Sequence, residues 1–274
     1  MFIPNLDTLM LKSKRVGKRL MDAIGWLQEF YLLGFRGCIS IIKPPWNFRD
    51  LLDQMEYMGA DAVIIVSVLA AFIGMALSLQ IEAAFADIGL QTYAGTSIGV
   101  SIISEIGPVL TGVIFAGRSG AGMASEIGSM VLGHQVDTLR AFGIDPIKKL
   151  VSPRIMAALV MLPCLTIIGD AVALLGGAYI TAVINQNSPS VYWASITLTF
   201  EPRSITTGLL KPVVFGMIVA FAGCYTGLAT KGGARGLRNA TTAAFVLATV
   251  FIIIADFLIT KVIVNVLGNN PWLS

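Results

Sequence analysis

Apolar residues in this chain fall in long unbroken runs, not in the alternating or three-to-four spacing of a soluble fold. The first run, VIIVSVLAAFIGMALSLQI, carries no charged residue from Val63 to Ile81. That is close to the ~20 residues a helix needs to cross hydrocarbon. The pattern predicts five spanning helices, over about Ala60–Ala83, Ser97–Ser119 (continuing through small residues toward Met130), Leu150–Ile184, Ser204–Leu228 and Thr241–Leu267. The third is longer than a bilayer requires, so it is expected to tilt, to kink near Pro163 or to extend beyond the membrane. Residues 1–58 read differently. Leu20, Ile24, Leu27, Tyr31 and Phe35 recur at helical spacing among Asp22, Glu29 and Arg36, the pattern of a helix lying in the membrane interface. Pro44 and Pro45 end it, and Asn47 can cap a second amphipathic helix with Phe48, Leu51, Leu52, Met55 and Met58 on one face. The reading is an all-α integral membrane protein with N-terminal interfacial helices over 1–58 and a five-helix domain over 59–274.

Composition agrees. The 274 residues are 55% hydrophobic and 13% charged, where a soluble domain carries about 25% charged residues. The basic residues are unevenly placed. All but Arg203, Lys211 and Lys261 lie in residues 1–58, 118–154 and 229–240. Five spans put those three segments on one side, which the positive-inside rule makes cytoplasmic, with the C-terminus outside. Lys211 reads as lying near a helix start. The basic cluster Lys12–Arg19 is followed by no clean apolar stretch, so the N-terminus does not read as a signal peptide. Cys38, Cys164 and Cys224 are far apart, and with one histidine they suggest neither a disulfide framework nor a metal site. A phosphate-binding GxxxxGK[ST] loop is missing.

Polar residues inside the apolar runs are the candidates for chemistry, because charge in hydrocarbon is costly and usually faces a cavity or partner. Glu105 lies three residues before Pro108, which removes a backbone donor and loosens the helix. Asp170 and Asp256 are weaker candidates, and Asp61 and Glu82 sit at the ends of the first span, where an interfacial position is expected. From Ala116 to Ser129 small residues dominate, suiting close helix packing within the chain or between copies. From Glu126 to Ile144, Val131, Val136, Leu139 and Phe142 can share a face opposite His134, Gln135, Asp137 and Arg140. That is the form of a short cytoplasmic amphipathic helix between two spans, able to dock on a soluble subunit.

The words EIGPVLTGVIFAGRSGAGMASEIGSM and QVDTLRAFGIDPIKKLVSPR, with FIGMALSLQ in the first span and ATTAAFV in the fifth, resemble the MlaE-type permease family, which includes plastid lipid permeases. The resemblance runs from about residue 55 to the end. It implies a homodimeric permease of an ABC-type complex in the bacterial inner membrane, moving phospholipid to or from a periplasmic MCE-domain protein and contributing to outer-membrane lipid homeostasis. The implied partners are a cytoplasmic ABC ATPase that carries the ATP and magnesium, the MCE protein, a small accessory cytoplasmic subunit and phospholipid, with no nucleic acid and no cofactor on this chain. Carried over by position, the lipid pocket would be lined by Leu77, Ala84, Phe85, Ile88, Glu105 and Ile106. ATPase coupling would fall to Glu126, His134, Gln135, Asp137, Leu139, Arg140 and Phe142. Relatives often place arginine before the glutamate. Here Ser104 stands there, so Glu105 must find another partner, keep its proton or meet a headgroup directly. The residues alone also leave open a secondary transporter using Glu105, Asp170 and Asp256, and a scaffold that recruits soluble partners through 126–144.

Overall fold

The computed structural model describes residues 48–87, 89–90, 93–183, 189–197, 199–200 and 202–268, with residues 25, 28, 32–34, 36–37 and 39–40 of the lead segment. The expected interfacial face from Leu20 to Phe35 and the cap at Asn47 lie outside the described residues. Among those described, all regular structure is helical: α1 Phe48–Asp87, α2 Ala94–Leu132, α3 Gln135–Ala141, α4 Ile147–Val183, α5 Pro189–Thr197, α6 Pro202–Leu228 and α7 Gly233–Gly268. Five of them (α1, α2, α4, α6 and α7) are long and apolar enough to span a membrane. The chain is a multi-pass membrane protein.

Several boundaries differ from the sequence expectation. The second amphipathic helix is not separate: α1 runs unbroken from Phe48 into the first span through a π-turn at Glu56–Ala60. Nothing between Phe48 and Asp87 forces a break. On its expected apolar face Met58 is fully buried and Leu51 and Met55 pack on the core, while Phe48 and Leu52 remain exposed. Helix α7 starts at Gly233, eight residues before Thr241, because Gly232 and Gly233 turn the chain within a short loop by adopting positive φ (87° and 68°). Helix α5 was not anticipated. Its signal is Pro189 at the first helical position, where the missing N–H removes nothing. Helix α4 continues uninterrupted past Pro163.

Close backbone approach sets the packing. Helices α1 and α4 run parallel: a Cβ on Gly74 would lie 1.9 Å from the Ala173 carbonyl oxygen, and one on Gly176 would lie 2.6 Å from that of Ala71. Helices α2 and α6 also run parallel, with Gly223 against the Gly120 carbonyl (2.7 Å to a built Cβ). The small residues of α2 are therefore used within the chain: Gly120 faces Val219, Gly122 faces Tyr57 and Gly128 faces Leu237 and Thr230. The main core, around Phe115, Met123, Ile127, Ile155, Leu162 and Phe215, fills the space between α1, α2, α4 and α6.

Four π-turns interrupt these helices, at Glu56–Ala60, Ile102–Ile106, Ala116–Gly120 and Ile147–Val151. Such turns leave carbonyl groups without their usual i+4 donor, and they recur at functional sites. The first and third face each other. Arg118 donates to the Tyr57 carbonyl (2.9 Å) and to Asp61 Oδ2 (2.9 Å), and Ser119 Oγ donates to the Met58 carbonyl (3.4 Å). Gly223→Leu is expected to overpack the α2–α6 crossing and cost about 3 kcal/mol. Gly117→Ala, whose Cβ would meet only Phe245 at 3.5 Å, should be neutral. Thermal melting of the detergent-solubilised protein, followed by size exclusion, separates the two.

Candidate functional site

The α6 span Ser204–Leu228 holds one charged residue, Lys211, and its side chain is fully buried. Removing an ammonium from water costs several kcal/mol unless anions and good geometry offset it. Two anions do so. Lys211 Nζ lies 2.6 Å from Glu105 Oε2 on α2 and 2.8 Å from Asp256 Oδ1 on α7. Thr260, one turn beyond Asp256, donates to Glu105 Oε1 at 3.2 Å. The backbone makes this possible. Glu105 sits in the Ile102–Ile106 π-turn, and Gly208, one turn before Lys211, lets α6 approach the Ile103 carbonyl (2.8 Å to a built Cβ). Glu105 keeps 43% of its side chain exposed and Asp256 keeps 20%. One buried cation thus joins three helices and leaves two acidic side chains partly exposed.

The partner that Glu105 requires in place of an arginine at Ser104 is therefore Lys211, delivered from another helix; Ser104 itself is buried. Placing Lys211 near a helix start missed this. The signal was available, since a lone lysine in an otherwise uncharged span requires a counter-ion. Asp256 belongs to the site and Asp170 does not: it lies on the opposite side of α2, against Gly107. Glu82 is buried between α1 and α4, where the Thr181 hydroxyl donates to it. Asp61 is exposed and paired with Arg118.

The other residues expected at a lipid pocket do not gather at Glu105. Leu77 packs partly buried on a small cluster that includes Ile102 and Ile103. Ile106 faces α1 and α4, while Glu105 turns to α6 and α7. Phe85 is half-buried, Ala84 is exposed, and Ile88 lies outside the described residues.

At the end of the bundle that carries the basic loops, the expected amphipathic segment is divided. Residues through Leu132 are the last turns of α2. The chain breaks at Gly133–His134, with His134 at φ 56°, and only Gln135–Ala141 forms the separate helix α3. Glu126 is thus a residue of α2, tied to the buried Arg154 of α4 at 2.7 Å. Val136 is buried and Leu139 half-buried, but Phe142 does not share their face: it is 77% exposed beyond the end of α3. His134, Gln135, Asp137 and Arg140 are exposed, with Asp137 near both His134 (3.6 Å) and Arg140 (3.3 Å). Between α3, the end of α6 and Leu33 and Arg36 of the lead segment lies a cavity of about 490 Å³, lined also by Val136, Asp137, Arg140, Asp145 and Tyr225.

A five-span bundle with an ion-paired site inside the membrane-length helices and a polar helix between two of its spans has the makeup of a permease. The chain belongs to the MlaE permease family, whose model matches residues 51–262. It is 36% identical over 255 residues to a probable ABC transporter permease protein of Rickettsia felis, covering 93% of this chain and 98% of the relative. It is 27% identical to the intermembrane phospholipid transport system permease protein MlaE of Haemophilus influenzae, over 90% and 95% of the two chains. It is 32% identical to the chloroplastic protein trigalactosyldiacylglycerol 1 of Arabidopsis thaliana, over 85% and 66%.

Lys211→Met should strand two partly buried carboxylates and lower stability by about 3 kcal/mol, while the triple variant Lys211→Met/Glu105→Gln/Asp256→Asn should recover most of that loss. Thermal melting of the three proteins in the same detergent reads the difference.

Proposed function

We propose that this chain is the membrane subunit of an ATP-driven phospholipid transporter, working as a homodimer with a cytoplasmic ABC ATPase and a periplasmic MCE-domain protein. The basic residues gathered at the Glu126–Phe142 end support its lying in the cytoplasm of a bacterial inner membrane, with the C-terminus in the periplasm. The observation that carries the reading is the Glu105–Lys211–Asp256 site. In a family with a named phospholipid permease, it holds charge within the spanning helices, partly exposed, on the α6–α7 side of α2, while the apolar Leu77 and Ile106 lie on the α1–α4 side. A phospholipid has the same two parts, and the exposed edges of Glu105 and Asp256 can take a headgroup while the apolar residues take acyl chains. A second copy would close the pocket on the side where Glu105 is exposed.

The other end supplies the link to the motor. Phe142 projects from the end of α3 with exposed polar neighbours, which suits a short helix seated in a groove of the ATPase. Glu126 and Arg154 clamp α2 to α4 above it, so a push on α3 is carried along α2 to the π-turn at Glu105. ATP and magnesium act on the partner, and this chain's part is to exchange an open pocket for a closed one as nucleotide shifts the populations.

Reconstitution of the complex in donor vesicles, with labelled phospholipid transfer to acceptor vesicles followed with and without ATP, tests the proposal. Transfer should require ATP and the ATPase; equal transfer by this chain alone would favour a secondary transporter. Glu105→Gln should lose most of the transfer while the complex still assembles. Phe142→Ala should weaken co-purification of the ATPase by about tenfold, the effect of removing an aromatic anchor from an interface.

A further inference from the structure

On the face of α2 opposite the charged site lies a second carboxylate with a different environment. Asp170 of α4 is 9% exposed, and its Oδ1 is buried with no hydrogen-bond partner among the described residues. It presses on Gly107: a Cβ built there would lie 1.7 Å from Asp170 Oδ1 and 2.8 Å from the Ile102 carbonyl oxygen. Two oxygen acceptors thus flank one point. The donors nearby are committed or missing. The Gly107 N–H is given to the Ile102 carbonyl. Pro108 has none. The Thr111 hydroxyl is held by the Gly107 and Pro108 carbonyls (2.8 and 3.2 Å) and by Thr166 Oγ1 (2.7 Å). The adjoining cavity is about 10 Å³ and is lined by Ala70, Ile73, Ile106, Leu110 and other apolar groups, room for no more than about one water.

Among the described residues, no cation faces this carboxyl from the helices packed around it. On α1 the acid Glu82 is bonded to Thr181; on α2 Glu105 turns away to Lys211; on α6 Lys211 is held between Glu105 and Asp256; on α5 the Tyr192 hydroxyl donates to the Leu174 carbonyl. An unpaired carboxylate anion facing a carbonyl oxygen in so confined and largely apolar a site is opposed by both desolvation and repulsion. A neutral carboxylic acid removes both penalties and supplies the missing O–H.

We propose that Asp170 is a proton-binding site of the permease, a neutral carboxylic acid whose O–H holds the Ile102–Ile106 π-turn in place. Losing that proton would set an anion against the backbone of the turn that carries Glu105. The charged site on the far side of α2 is thereby tied to proton occupancy on the near side. This goes beyond the lipid-transport reading and depends on it only for the transport readout.

Isotope-edited infrared spectra of the full chain in lipid bilayers, wild type against Asp170→Asn, test the protonation. At neutral pH the wild type should show a protonated-carboxyl C=O stretch that the variant lacks. Ionised carboxylate bands alone would overturn the proposal. If Asp170→Asn does not fold, titration of the wild-type band decides: loss of the band in the ordinary aspartate range overturns the proposal. In the reconstituted complex, Asp170→Asn, which retains a donor, should keep transfer within about twofold, and Asp170→Leu should lose at least about fivefold. Equal transfer by both variants would overturn the link to the π-turn. Absence of ATP-dependent transfer in the wild type would instead count against the transporter reading and leave the infrared result standing.

Discussion

A single buried ammonium group organises the part of this bundle away from the basic loops. Lys211 cannot stay charged in α6 unless acids come to it, and the two that do belong to α2 and α7. Their positions fix how the three helices are rotated about their own axes, which apolar packing alone specifies only loosely. The glycines at the crossings act in the same direction: Gly208 and Gly223 bring α6 near enough to α2 for a lysine to reach a glutamate.

The ion pairs also explain where the helices are irregular. Each of the four π-turns has charge in it or beside it: Glu105 in the second, Arg118 in the third, and Lys149, paired with Asp50, in the fourth. In the first, freed carbonyls are taken up by Arg118 and Ser119. Widening a turn redirects a side chain without ending the helix. In a membrane that is a low-energy way to aim a polar group inward, since a full break would leave several backbone groups unpaired.

Much of the fold was legible in the sequence, for a simple reason. Uncharged runs of membrane length have one stable form, so the five spans followed from hydropathy, and Glu105 stood out as an acid inside one of them. What stayed hidden depended on rotation and register. Lys211 was read by its distance from a helix end, and its counter-ions lie far away in the chain. Asp170 and Glu105 look alike as isolated acids, and only packing shows that one has a lysine and the other has none. Phe142 fits a helical face on paper, but the chain turns at Gly133–His134 and restarts with a different phase. The continuity of α1 through Glu56–Ala60 was invisible because a π-turn has no distinctive composition.

Each π-turn contains one residue more than the ordinary helical turn it replaces. A homologue lacking that residue would keep the same helix, with the same faces, simply by closing the turn. In alignments of this family, single-residue gaps inside the spans, normally treated as errors, become interpretable when they fall at 56–60, 102–106, 116–120 or 147–151. They would mark members that have dropped a bulge while the spans on either side stay in step.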